Sequence, residues 1–143
     1  MPPLDRHPLL RPLSREHHAG LLLCWRIRQA LSTPEKVDHL FAECKKVFHT
    51  ELLPHFAVEE EVVFPVLGTA DPLVQRAVAE HRELAGLFGA ASDPRIILTR
   101  IAEELDMHIR FEERLLFPAV QAVATEAQLE RIDRMHGVVM EMN

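Results

Sequence analysis

The sequence predicts an all-α protein: an up-down-up-down antiparallel four-helix bundle with an N-terminal arm and a short C-terminal helix. Three observations carry that expectation. Apolar residues recur at helical spacing, and no stretch alternates as a strand does. Thr33-Pro34, Asp71-Pro72 and Asp93-Pro94 each pair a helix-capping residue with proline at the first helical position. Residues 51–67, ELLPHFAVEEEVVFPVL, return 53 positions later as ELDMHIRFEERLLFPAV at residues 104–120. With His55 laid on His108, seven of these seventeen positions are identical, among them Glu59/Glu112, Glu60/Glu113, Phe64/Phe117 and Pro65/Pro118.

The elements follow in order, as a single domain over residues 1–143. Residues 1–13 hold most of the early prolines and read as an arm, with Leu9, Leu10 and Leu13 available to pack down. The bundle spans residues 14–122. Its first helix is expected after Ser14 and runs to about Leu31, with Leu21, Leu22 and Trp25 as the apolar stripe and His18 in register with it. The second starts at Pro34 and carries Val37, Leu40, Phe41, Cys44, Phe48, Leu52, His55, Glu59 and Val62. Pro54 lies inside it and predicts a bend around residues 50–54. The third starts at Pro72 with Leu73, Ala77, His81, Leu84 and Phe88 on one side. The fourth starts at Pro94 with Ile97, Ile101, Leu105, His108, Glu112 and Leu115. Residues 125–139 read as an extra amphipathic helix with Leu129, Ile132 and Met135 inward.

Composition excludes several classes. The chain has 143 residues, 48% of them hydrophobic, and a formal charge of −6. No basic block is present, which argues against nucleic acid and anionic membrane as partners. No apolar run approaches the ~18 residues that span a bilayer. Nothing resembles a signal peptide, and the expected location is cytoplasmic. Cys24 and Cys44 form neither a disulfide framework nor a CxxC metal site, and read as small core hydrophobes.

Each copy of the repeat carries His-x-x-x-Glu, and residues four apart share a helix face. Each is preceded by a helix with a histidine near its start, REHHAGL at 15–21 and AEHREL at 79–84. Laying His18 on His81 pairs Leu21 with Leu84 and Trp25 with Phe88. Laying His17 there matches the preceding glutamate but breaks that apolar register, so His18 is preferred and His17 is the alternative. The expected set is His18, His55, Glu59, His81, His108 and Glu112. A carboxylate has two oxygens and can bridge, so two glutamates and four histidines suit two metal ions. The donors fit iron or manganese and tolerate zinc; the absence of thiolates argues against a structural zinc site. An unpaired glutamate on a core stripe is costly to bury, which favours ligation over packing. Glu60 and Glu113 lie about 100° off the stripe and are expected in solvent or hydrogen-bonded around the ligands. Glu51 and Glu104, one turn before the histidines, are candidates to hydrogen-bond an imidazole. His7, His39, His49 and His136 have no symmetric mate and read as surface or edge residues.

Through REHHAGL, HFAVEEEVVFP, EHREL and HIRFEERLLFP, residues 15–118 resemble the hemerythrin-like, or HHE cation-binding, domains. The resemblance implies a four-helix bundle with a carboxylate-bridged non-haem di-iron centre, ligated by the six residues above with Glu59 and Glu112 as bridges. Two departures bear on function. Oxygen-carrying hemerythrins have a further histidine one turn before the third-helix ligand, where this chain has Ala77. They also end on His-x-x-x-x-Asp, where this chain has His-x-x-x-Glu. Fewer protein ligands leave the metals more open to O2, peroxide or NO. The preferred expectation is a protein that binds O2 or a related small molecule for sensing, storage or scavenging. The alternative is a di-iron enzyme or repair factor that reduces peroxide or NO, or donates iron to damaged clusters.

Overall fold

The computed structural model describes residues 5–141, which are helical throughout apart from short turns, with no strand among them. Residues 1–4 of the expected arm lie outside the described residues. The helices are α1 (Arg11–Ala30), α2 (Pro34–Val47), α3 (Leu53–Val58), α4 (Pro72–Phe88), α5 (Pro94–Phe111), α6 (Phe117–Val123) and α7 (Glu126–Glu141). They form a helical bundle of four long rods: α1, the continuous run of residues 34–66, α4, and the run of residues 94–123. None is long and apolar enough to cross a membrane. Asp71 and Asp93 cap their helices as expected, accepting from Leu73 N at 2.8 Å and Arg95 N at 3.0 Å. Gly68 ends the second rod at φ +93°, a backbone conformation that favours glycine.

Three prolines shape the second and fourth rods. Leu53, Phe64 and Phe117 each donate their backbone N–H five residues back, to Phe48, Glu59 and Glu112. These bonds close the π-helical stretches Phe48–Leu52, Glu59–Val63 and Glu112–Leu116. The residue after each donor is a proline: Pro54, Pro65 and Pro118. A proline ring collides with the carbonyl four residues back, and a wider π turn moves that carbonyl aside. The bend expected near Pro54 is therefore taken up as an extra residue in the turn. Two of these stretches begin at Glu59 and Glu112, so the proline effect also fixes how those carboxylates enter the core.

The first helix corrects the sequence reading twice. It begins at Arg11, after a 3-10 turn at Pro8–Leu10, and not after Ser14. Prolines at helix starts cost no hydrogen bond, and Leu10 and Leu13 are buried, so the first turn is held by packing. The inward face is Leu13, His17, Gly20, Cys24 and Ile27, with Leu21 half-buried at its edge, and not Leu22 and Trp25. Leu22 and Trp25 are 54% and 57% exposed, on the same side as the exposed His18. The physical reason is close approach: a Cβ on Gly20 would stand 2.7 Å from Ile109 Cδ1 on α5. Small residues bring α1 against α5, and bulk on the other face is left in solvent.

The core is divided. One apolar cluster holds Cys24, Ile27, Leu40, Cys44, Phe88, Leu98 and Ile101. The other holds Leu10, Leu13, Val63, Phe64, Phe117, Leu129 and Ile132. The six buried polar or charged residues, His17, His55, Glu59, His81, His108 and Glu112, belong to neither. Cys24 and Cys44 are packed as expected, and burial pushes their thiols up to about 11 and about 12.

Candidate metal centre

Four histidines and two glutamates converge within the bundle. α1 supplies His17, α3 supplies His55, and the π stretch beyond it supplies Glu59. α4 supplies His81, α5 supplies His108, and its π stretch supplies Glu112. Two overlapping groups could each hold an ion: His17, His55, Glu59 and Glu112, and Glu59, His81, His108 and Glu112. Both glutamates belong to both groups. Of the six residues expected from sequence, five are in this cluster. His18 is not; it is exposed, and the adjacent His17 takes its place. One residue along a helix is a rotation of about 100°, enough to carry a side chain from core to solvent.

The inner distances are short. His17 Nε2 lies 2.8 Å from Glu112 Oε1 and 3.4 Å from Glu59 Oε2. His55 Nε2 is 3.2 Å from Glu59, and His81 Nε2 is 3.1 Å from Glu59 and 3.6 Å from Glu112. His108 Nε2 is 3.2 Å from Glu112. Yet both oxygens of Glu59 and Glu112, and Nε2 of His81 and His108, are buried without a hydrogen-bond partner. The groups are near one another but not angled at one another, as ligands aimed at a shared point are.

An outer ring of carboxylates fixes the imidazoles. His17 Nδ1 bonds Glu113 at 2.7 Å, His55 Nδ1 bonds Glu16 at 2.7 Å, His81 Nδ1 bonds Glu60 at 2.8 Å and His108 Nδ1 bonds Glu80 at 2.8 Å. A carboxylate accepts, so each Nδ1 donates, and each Nε2 is left facing inward. This is the arrangement that orients and strengthens metal-ligating histidines. His17 Nε2 and His55 Nε2 stand 3.0 Å apart. Two inward lone pairs at that distance repel unless a positive charge lies between them. The chemistry of the donor set thus fits a cation: six carboxylates around four imidazoles leave an excess of negative charge in a buried site.

The outer ring was only partly legible. Glu60 and Glu113 are in it, but Glu16 and Glu80 hold the imidazoles that Glu51 and Glu104 were expected to hold. The Glu-His dipeptides Glu16-His17 and Glu80-His81 were the available signal, since each glutamate serves the histidine of the following rod. His136, read as an edge residue, bonds Glu16 at 2.8 Å. His7, the other singleton with a defined role, accepts from Leu9 N at the first turn. His39 and His49 are exposed. The Phe-Pro pairs flank the site, with Phe64 against His81 and Phe117 against His17 at ring separations of 5.6 and 5.1 Å.

The electrostatics follow from this geometry. Burial disfavours the charged form of His81, but the carboxylates of Glu112, Glu59 and Glu60 that surround it outweigh that cost and raise its pKa to about 11. His108 is raised to about 9 against the same burial, by the charge of Glu112 and by its bond to Glu80. His17 and His55 move up for like reasons. Burial pushes Glu59 and Glu112 up, but the facing imidazoles bring both below the usual carboxylate range. The site therefore attracts positive charge at Nε2, and a metal ion and a proton compete for the same atoms. The sign for chelator-treated protein is fixed by this. A histidine whose pKa rises on folding stabilises the fold below about 6.5, its unfolded value. That contribution is lost as pH rises through about 9 for His108 and about 11 for His81. Denaturant midpoints of chelator-treated protein are expected to fall from pH 6.5 to 9, and to fall less in metal-loaded protein. A rise over that window in the treated protein would contradict the charge assignment.

Neither curated proteins nor solved structures give a match to the chain. The sequence pattern of the hemerythrin HHE cation binding domain matches residues 9–96, well over half of the chain. That span includes His17, His55, Glu59 and His81, while His108 and Glu112 complete the same buried cluster from beyond it. The chain belongs to the hemerythrin HHE cation-binding domain family.

Proposed function

We propose that this protein is a non-haem di-iron protein that binds O2 or a related small molecule, for sensing, storage or scavenging. His17 and His55 would hold one iron, His81 and His108 the other, with Glu59 and Glu112 bridging. Iron, when bound, supplies electrons and a coordination position for the small ligand. The observation that carries the small-ligand reading is a cavity of about 130 Å³ beside the cluster. His17, His55 and His108 reach its wall, and Ala19, Gly20, Leu23, Leu52, Phe56 and Ile109 make that wall mostly apolar. The volume is well below the roughly 300–1,000 Å³ of an ordinary metabolite pocket, and it suits a small ligand such as O2.

The protein's own part is orientation and exclusion of water. The outer carboxylates hold four imidazoles in one tautomer, and the apolar wall keeps the approach dry. Ala77 is fully buried one turn before His81 and offers no donor. The open coordination this leaves also suits the alternative of a peroxide- or NO-reducing enzyme. Iron analysis with an absorption spectrum of the oxidised protein, with and without azide, tests the proposal. Two irons per chain and charge-transfer bands that shift with azide are expected; less than one bound metal in protein purified without chelators sinks it. Multiple turnovers with peroxide or NO would favour the enzyme.

Gly20 gives a further test. In Gly20→Ala the new Cβ must displace Ile109 Cδ1, the end of a side chain that borders the cavity. Alanine gains about 1 kcal/mol of helix propensity, which offsets part of the crowding. Stability is expected to change by about 1 kcal/mol or less, while azide binding to the iron-loaded protein weakens. Unchanged azide affinity would show that the ligand does not use this cavity.

A further inference from the structure

The two halves of the site are not supported alike. On α4, Glu80 accepts from His108 with one oxygen and from Arg76 Nε, four residues earlier on the same helix, with the other, at 2.9 Å. On α1, Glu16 holds His55 in the same way. Laying His17 on His81 puts Pro12 where Arg76 stands, and proline has no side-chain donor. The second oxygen of Glu16 is instead taken by His136 Nε2, at 2.8 Å, from α7. α7 is outside the duplicated unit, so the missing partner of one half arrives from a separate element.

The same helix face reaches the cavity. Met140 lies four residues beyond His136, one turn on, and lines the cavity together with Glu16, His17 and His55. α7 is well anchored at its start. Thr125 and Gln128 cap it reciprocally, at 3.1 and 2.9 Å, and Leu129 and Ile132 are buried against the Pro8–Leu10 side of the core. Its second half has no fully buried residue: Met135, His136, Val139 and Met140 are half-buried and Val138 is exposed. A firmly fixed first half thus carries a lightly held second half across the site.

We propose that α7 is a working part of the metal centre: His136 positions the Glu16–His55 pair, and Met140 closes the apolar cavity against solvent. The inference rests on the metal reading of the site, and it adds a specific asymmetry. Seating of α7 acts on the His17/His55 side, through Glu16, and leaves His81 and His108 to supports within the four rods. His136 is a positioning residue, since it touches no ligand-binding atom and works through Glu16. Met140 is a steric closure, with a flexible thioether suited to an opening that must admit a small molecule.

The test uses the full chain as His136→Ala, His136→Gln and Met140→Ala, with Co2+ alone as the metal probe. Loss of a direct outer partner weakens metal binding by about 10- to 100-fold. His136 acts one bond further out, so His136→Ala is expected to weaken one of two Co2+ binding events by about three- to tenfold and spare the other. His136→Gln, which keeps a donor, restores most of that loss. Imidazole nitrogen spectra of chelator-treated protein give a readout without metal: His136→Ala perturbs His55 Nδ1–H and leaves His108 unchanged. Met140→Ala raises the rate of azide association with the iron-loaded protein while leaving both Co2+ affinities intact. Equal Co2+ binding and an unchanged His55 signal in His136→Ala overturn the positioning role, as does a glutamine variant no better than alanine. An unchanged azide rate overturns the closure. Wild-type protein that binds no Co2+ defeats the metal reading itself, and the His55 signal then still decides whether His136 positions that ring.

Discussion

Glu59→Ala is expected to abolish tight binding of both metal ions, not one. Glu59 belongs to both candidate ion groups, with one oxygen near His17 and His55 and the other near His81. Removal of a histidine such as His108 takes one donor from one group. Removal of Glu59 takes a donor and a negative charge from both. Even outer partners of metal ligands are worth about 10- to 100-fold in affinity, so loss of a shared direct donor is expected to exceed about 100-fold for each ion. The fold should tolerate the change better than the site does. Glu59 is fully buried with no hydrogen-bond partner for either oxygen, so its removal leaves no orphaned donor outside the imidazoles that faced it. Elemental analysis and calorimetric titration of Glu59→Ala, beside His108→Ala, make the comparison. A Glu59→Ala protein that keeps one tightly bound ion would show that the glutamate serves a single metal.

The second large effect separates two adjacent residues. His17→Ala is expected to lose metal from the group it forms with His55, whereas His18→Ala should bind metal as the wild type does. His17 is 4% exposed and has three carboxylates within ion-pair distance, Glu59, Glu112 and Glu113. His18 is exposed, and a surface substitution of that kind usually changes stability by less than about 0.5 kcal/mol. His17→Ala should also be destabilised without metal, because Glu113 and Glu112 lose the group that faces them in the core. Metal content and a denaturant midpoint for both variants decide it. Metal loss in His18→Ala with retention in His17→Ala would mean that α1 is rotated by one residue from the register described.

These two predictions rest on parts of the site that differed in legibility. Glu59 was plain in the sequence because helix geometry is local. His-x-x-x-Glu puts two side chains on one face whatever surrounds them, and duplication of the whole stretch made a chance match implausible. The paired cap-proline signals likewise marked where α2, α4 and α5 begin, since a proline at a helix start depends only on its own turn. His17 was not plain, because which face of α1 turns inward is not a local property. Leu21, Leu22 and Trp25 gave the more hydrophobic stripe, but the bundle selected the face that allows the closest approach. Gly20 lies against Ile109, and Leu13, Cys24 and Ile27 follow it into the core.

By itself, then, the sequence determined an all-helical chain, a duplicated pair of histidine and glutamate donors, and the absence of thiolates among them. Spacing, capping and donor chemistry act over one or two turns, and they read the same in any context. Tertiary structure decided the rest: the rotation of α1 that exchanges His18 for His17, the four outer carboxylates, and the arrival of His136 and Met140 from α7. Each of these depends on contacts between residues far apart in the chain. Glu16 and His136 are separated by 120 positions, and their bond forms because packing of Leu129 and Ile132 lays α7 against the Pro8–Leu10 turn and α3.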